Sequence, residues 1–298
     1  MRLLDKYAIA YKYEDNSKSV IESFKYSLEF YLYEDEPYFN KIKKELKEFN
    51  LHYYEGTLFE ESDLEKAEWF WITTGEFQYP LPDKDFGYLK STFNLENYCH
   101  ICGIGKKQNA PFRLREPKQK NSQFWGLHWE HDAIFVRPET KKLLEEENLR
   151  GISFIKPKLY KKDIEIDNLY QVIIETTLKA GLNPYNCKTI TCKYMNEEQT
   201  DSEFPNSFIW KSRTENANYC GRIKYHFPQR GGLTFESSIF TNAPNFVKSN
   251  EWFGASAMQL PIVSKRIKLF VEKNNLRGLK FTPIFYKEIN FNSLHKIL

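Results

Sequence analysis

The sequence predicts an α+β protein in which an acidic amino-terminal part is followed by two copies of a duplicated mixed α/β module. Three observations carry this expectation. Runs with a helical period alternate with short aromatic and β-branched runs bounded by turn residues. Charge is split along the chain: residues 1 to 80 hold 17 Asp/Glu against 10 Lys/Arg, and the remainder holds 23 against 33. Blocks of sequence also recur at a nearly constant separation, the mark of an internal repeat.

In the amino-terminal part, "SKSVIESFKYSLEFYLY" sets Val20, Phe24, Leu28 and Tyr31 at steps of four and three, and "EPYFNKIKKELKEFN" continues after Pro37. Both predict amphipathic helices with one buried face. "ESDLEKAEWFWITTGE" passes from an acidic start to "WFWITT", a predicted strand. Two prolines and a glycine in "YPLPDKDFGY" mark a loop and the first boundary. The expected organisation is an acidic helix and strand region over 1–80, a first module over 81–165, a connecting helix and cysteine hairpin over 166–208, and a second, degenerate module over 209–298.

The duplication rests on two blocks. "LKSTFNLENYC" (89–99) aligns with "WKSRTENANYC" (210–220) at a shift of 121, and "FVRPETKKLLEEENLRGISF" (135–154) aligns with "IVSKRIKLFVEKNNLRGLKF" (262–281) at a shift of 127. Trp125 falls on Trp252 at the second shift, so the two are expected in equivalent places. Each second block reads as a strand, a helix of about ten residues, "NLRG" and another strand. Gly151 and Gly278 follow the helix as stops, where a left-handed residue without a Cβ carries no penalty. Between the copies, "NLYQVIIETTLKAGLNPYN" predicts a helix ended by Gly181 to Pro184.

The chain has 298 residues, enough to bury a large core without a metal. Aromatics are 16% of the residues, sufficient to furnish that core and a binding surface. The amino terminus lacks an apolar signal-like segment and no run of 18 apolar residues occurs, which predicts a cytoplasmic protein. Five cysteines, one of them odd, argue against a disulfide framework and for metal binding or inert burial.

Cys99-x-x-Cys102-Gly103 has the spacing of a metal knuckle, in which a tight turn aims two sulfurs at one tetrahedral ion. By itself it is half a site. Cys187 and Cys192 in "NCKTITCKY", or His128 and His131 in "LHWEHDAIF", are the candidates to complete it. The four-cysteine set Cys99, Cys102, Cys187 and Cys192 is chemically cleaner, binds structural zinc and leaves Cys220 as an odd buried thiol. Reduced thiols without metal are the alternative reading; a redox pair does not fit, because the knuckle does not lie between the strand and helix of a βαβ unit.

Two charged stretches are candidate binding surfaces. Glu60, Glu61, Asp63, Glu65 and Glu68 run into Trp69, which suits an acidic, aromatic-anchored surface for a basic protein partner. "KKQNAPFRLREPKQK" (106–120) holds six basic residues, one acidic residue and Phe112, and supports the alternative of a zinc-containing nucleic-acid-binding protein. Gly-rich phosphate loops, nucleophile elbows and Cys/His nucleophile pairs do not occur in recognisable form, so the sequence predicts no enzyme and no catalytic residues.

With "CHICG" at 99–103, a degenerate "YCG" at 219–221 and paired "NLRG" blocks, the chain resembles the bacterial double-CXXCG motif family over roughly residues 88 to 290. The resemblance implies an immunity protein that neutralises a cognate, contact-delivered toxin by stoichiometric protein binding, with neither a membrane nor nucleic acid as partner. The second copy departs from the motif by keeping a single cysteine.

Overall fold

The computed structural model describes residues 11–15, 26–30, 36–48, 56–78, 80–81, 87–117, 122–193, 218–228 and 230–286. The chain divides into two compact units, one formed by 1–55 with 290–298 and the other by 56–289.

In the first unit, β1 (Tyr11–Asp15) and β2 (Tyr26–Phe30) form an antiparallel pair, and α1 (Phe39–Glu48) follows. The helix is where "EPYFNKIKKELKEFN" predicts one, with Ile42 fully buried. The helix expected across Leu28 is instead a strand. "YSLEF" alternates Tyr26, Leu28 and Phe30 with Ser27 and Glu29, a period of two that competes with the helical reading. Val20, Phe24 and Tyr31 lie outside the described residues.

The second unit begins with α2 (Glu61–Lys66), β3 (Trp69–Thr74) and β4 (Glu76–Gln78). Then come α3 (Tyr88–Thr92), β5 (Phe93–Asn94), β6 (Lys107–Gln108), β7 (Arg113–Leu114), β8 (Phe124–Leu127) and β9 (Ile134–Val136). After α4 (Pro138–Glu146) lie β10 (Ile152–Ile155), β11 (Lys158–Leu159), β12 (Tyr170–Ile174), β13 (Leu182–Asn183) and β14 (Thr189–Thr191). The carboxyl-terminal elements are β15 (Ile223–Tyr225), β16 (Leu233–Phe235), β17 (Phe246–Phe253), β18 (Met258–Ser264), α5 (Lys265–Lys273) and β19 (Leu279–Tyr286). The architecture is mixed α+β, mostly sheet with few helices.

One correction concerns 168–186, expected as a helix. Residues 170–174 form β12, because Val172, Ile173 and Ile174 are β-branched and stiff, and pack well on a pleated surface. β12 sits between β9 and β10 in a five-stranded sheet of order β10-β12-β9-β8-β4. β3, grouped by sequence with the amino-terminal part, is a central strand of an eight-stranded sheet of order β13-β16-β19-β3-β18-β17-β15-β14.

Four neighbouring strands of each sheet are paired in the same sense. β10-β12-β9-β8 and β19-β3-β18-β17 are antiparallel throughout. Phe154 pairs with Val172 in one sheet and Phe281 with Ile72 in the other; Gln171 pairs with Phe135, and Trp71 with Ile262. The parallel pairs Arg113–Lys158 and Leu114–Leu159 have counterparts in Thr234–Phe285 and Phe235–Tyr286, at separations of 121 and 127. The parallel pair Glu76–Gly126 has a near counterpart in the parallel bridge Thr177–Lys248, at separations of 101 and 122. β3 in the middle of the eight-stranded sheet therefore continues into β4 at the edge of the five-stranded one, and the chain after β12 continues to a bridge on β17.

Trp125 and Trp252 do not occupy equivalent places. Trp125 faces Phe135 on β9, but Ile262, the counterpart of Phe135, faces Val247. The β17–β18 hairpin is five residues longer between matched ladder positions, and Trp252 belongs to that extension, opposite Gln259 and Lys224. One hydrophobic core contains residues of both sheets, among them Phe124, Val136, Val172, Ile72, Phe246 and Val263, with Leu144 of α4 and Val271 of α5.

Candidate metal centre

The knuckle follows β5. The amide of Cys99 donates to the carbonyl of Ile104, and the amide of Gly103 to that of Cys99, both at 2.8 Å, which closes a tight loop around Cys99 and Cys102. Gly103 (φ 80°) and Gly105 (φ 100°) take the left-handed conformations that this reversal needs. At Gly105 a Cβ would stand 1.9 Å from the carbonyl oxygen of Asn97, so the loop closes only around a residue without a side chain.

The other half is built where the chain leaves β14 and returns into its antiparallel partner β15. Cys192 leaves β14 and Cys220 lies just before β15; the Cys192 amide donates to the Arg222 carbonyl at 2.8 Å and the Gly221 amide to the Cys192 carbonyl at 3.0 Å. This pairing brings together two cysteines far apart in sequence.

Cys99, Cys102, Cys192 and Cys220 have all four sulfurs within 4.8 Å of one another. Cys99 Sγ is 3.8 Å from Cys192 Sγ, and Cys102 Sγ is 3.6 Å from Cys220 Sγ. Four thiolates around a tetrahedral zinc-sized ion, with metal bonds of about 2.3 Å, have sulfur separations of about 3.8 Å. The cluster has the dimensions and the soft donor set of a tetrathiolate metal site, and no disulfide forms within it. The hairpin extension covers it: Ala257 is fully buried against the knuckle, and Trp252 packs on the same group.

The structure thus brings together three of the four expected ligands and adds Cys220 in place of Cys187. Cys187 is buried in a separate core group beside Leu178, Phe235 and Val247. Cys187 and Cys192 flank the three-residue strand β14 and are buried in different core groups, so Cys187 lies outside the cluster. The clue to Cys220 was the repeated "NYC" at 97–99 and 218–220, followed three residues on by Cys102 in the first case and directly by Gly221 in the second. His128 and His131 lie outside the cluster, on the β8–β9 connection; His131 lines an apolar cleft of about 130 Å³ with Trp71, Phe227 and Met258.

The thiols differ in environment. Burial pushes Cys102 and Cys192 up. At Cys220 burial acts in the same direction, but the N–H donors of Arg222 outweigh it and pull the thiol down to about 6. Arg222 Nε lies 3.2 Å from Cys220 Sγ, while its Nη2 donates to the carbonyl of Asn97 at 2.8 Å. Cys187, with burial alone acting on it, is raised to about 11.

Beside the knuckle, Lys106 and Glu130 form a buried ion pair at 2.5 Å, and the Tyr88 hydroxyl donates to the other Glu130 oxygen at 2.8 Å. Desolvation raises Glu130 in spite of the lysine. Lys106 therefore pins the knuckle loop to the β8–β9 connection and is not a solvent-facing phosphate contact. Phe112 is 1% exposed and Arg113 pairs with Asp163 at 2.6 Å, which takes the aromatic and a second cation out of the expected nucleic-acid loop. Lys118 and Lys120 lie outside the described residues.

The acidic segment divides in the same way. Glu60, Glu61, Glu65 and Glu68 are exposed along α2 and its end. Asp63 is buried and accepts from the Glu60 amide at 3.0 Å as part of a capping box. Trp69 is also buried, stacked on Phe240 with ring centroids 4.8 Å apart, and is a core residue. Among the described residues no helix is long and apolar enough to cross a membrane. No protein-family model matches the chain, and a search of curated proteins finds no similar sequence.

Proposed function

We propose that the chain is an immunity protein that neutralises a cognate contact-delivered bacterial toxin by stoichiometric binding in the cytoplasm, and that its four-cysteine cluster is a structural zinc centre. The observation that supports this reading is the convergence of the two motif remnants, "YCHICG" and "YCG", on one site: Cys99 and Cys102 from the first, Cys220 from the second, completed by Cys192. A closed set of four thiols suits a structural ion, since a catalytic zinc keeps a position open for water or substrate.

The same reading treats 69–159 and 170–286 as two copies of one unit, each lending its first strand to the other's sheet. Matched separations support it: 100 between β3 and β12, 121 between β7 and β16, and 127 between β10 and β19. The zinc centre then joins the copies and does not belong to the first alone.

The exposed carboxylates of α2 are the proposed contact for a basic toxin, with Asp63 and Trp69 removed from that surface by burial. The test is co-expression with the toxin encoded next to this chain, followed by growth and association measurements on E61K/E65K/E68K, which leaves the Glu60–Asp63 capping box intact. The expected result is protection by the wild type, with slower association of the folded triple variant and a difference that shrinks as salt rises. A chain that neither binds nor protects against that toxin overturns the function. Full protection with unchanged association by the variant overturns the surface.

A further inference from the structure

Four thiolates around a divalent ion leave a net charge of minus two in a site whose cysteines are mostly buried. Buried charge is costly unless it is paired and hydrogen-bonded. Lys106, which follows the knuckle, is already engaged by Glu130 at 2.5 Å, and Lys193, next to Cys192, is exposed. Arg222 is the cation in contact with the cluster. Its planar guanidinium bridges both halves of the site: Nε points at the Cys220 sulfur (3.2 Å), Nη2 donates to Asn97 at the shoulder of the knuckle (2.8 Å), and Nη1 occupies space that a Cβ on Gly105 would enter, at 2.6 Å. A lysine has no such fork and would satisfy one of these partners at a time.

We propose that Arg222 is a charge-balancing positioning residue of the metal centre: by hydrogen-bonding the Cys220 sulfur and the Asn97 carbonyl together, it fixes the fourth ligand against the knuckle and retains the metal. The proposal rests on the tetrathiolate reading. Arg222 itself is not a ligand. A charge-assisted hydrogen bond to a coordinated sulfur stabilises the thiolate against the protonation that would release it, and outer partners of this kind hold ligands in their coordinating orientation.

The experiment uses the full chain with cobalt(II) as the spectroscopic probe and zinc(II) as the ion released to a chelator, in wild type, R222Q and R222K. Wild type is expected to show the intense sulfur-to-cobalt charge-transfer band of a tetrathiolate. R222Q should shift that band to lower energy and release zinc roughly 10-fold to 100-fold faster, the range seen when outer-shell partners are removed. R222K should fall between the two. A residue that merely stabilised the fold would lower the melting temperature of the metal-free protein without moving the band. If wild type gives no tetrathiolate band, the metal centre fails and this inference with it. If wild type gives the band and R222Q matches it in position and in release rate, Arg222 has no such role while the centre stands. Should R222Q fail to fold, R222K decides: an unshifted band and unchanged release overturn the proposal.

Discussion

The carbonyl oxygen of Phe246 lies 2.3 Å from where a Cβ on Gly151 would stand, and the carbonyl oxygen of Phe124 lies 2.3 Å from the corresponding point on Gly278. Around each glycine the same clasp is repeated. Phe246 donates its amide to the carbonyl of Arg150, and Phe124 to that of Arg277, both at 3.1 Å; the amides of Arg150 and Arg277 donate to the side chains of Asn245 (3.1 Å) and Gln123 (2.8 Å). The "NLRG" repeat is thus more than a helix stop: each copy grips the opening of a strand in the other half.

Gly151→Ala and Gly278→Ala are expected to be strongly and similarly destabilising. Each glycine has a positive φ, 95° and 106°, and each new methyl would overlap a carbonyl that is held in place. A left-handed backbone alone costs an alanine about 1–2 kcal/mol, so a loss of at least about 2 kcal/mol is expected in denaturant titrations. A loss at one glycine with tolerance at the other would sink the reciprocal clasp.

Replacing single cysteines by serine separates the two groups of thiols. C99S, C102S, C192S and C220S should each abolish stoichiometric zinc in purified protein, measured by elemental analysis, whereas C187S should retain it. Zinc lost from C187S, or kept by C220S, would contradict the cluster. Because the site draws on both halves, removing the metal with a chelator should lower the stability of the whole 56–289 unit in one transition.

In the metal-free protein Cys220 should be the first thiol to react with iodoacetamide. Its folded-state value of about 6 lies below the ordinary thiol value of 9.0, so the thiolate is present from about pH 6 upward. Ionisation of Cys220 therefore contributes stability that is complete above the unfolded value and is lost as pH falls from 9.0 through about 6. Cys102 and Cys192, raised by burial, act in the opposite sense. Peptide mapping of alkylation against pH checks this; a Cys220 profile centred near an ordinary thiol value would refute the effect of Arg222 on its acidity.

The Lys106–Glu130 pair is buried on both sides, with side chains 6% and 1% exposed. K106M or E130L alone leaves an uncompensated buried charge and should cost about 3–5 kcal/mol, while K106M/E130L should be more stable than either single variant. Equilibrium unfolding of the three gives the coupling energy. Additive losses would mean that the two side chains do not act as a pair.

Local pattern alone determined much of this protein. The helices over 138–146 and 265–273, the strand "WFWITT", the "NLRG" turns and the knuckle geometry of Cys99 and Cys102 follow from period, β-branching, glycine placement and ligand spacing, all of which act within a few residues. Tertiary structure decided the rest. Leu28 and Val172 lie in strands because pairing across a sheet outweighs a short helical period, and β3 and β12 each enter a sheet built mainly by the other half, a choice that no window of sequence encodes. Trp69 and Phe112, legible as binding aromatics, are core residues because the sheet and the loops fold over them. The fourth thiol was settled in the same way. Cys187 is near Cys192 in sequence, but an extended strand carries it away, whereas the β14–β15 ladder returns Cys220 to Cys192 and places both against the knuckle. Spacing along the chain fixes ligands within one turn; ligands from separate turns converge only where strand register allows it.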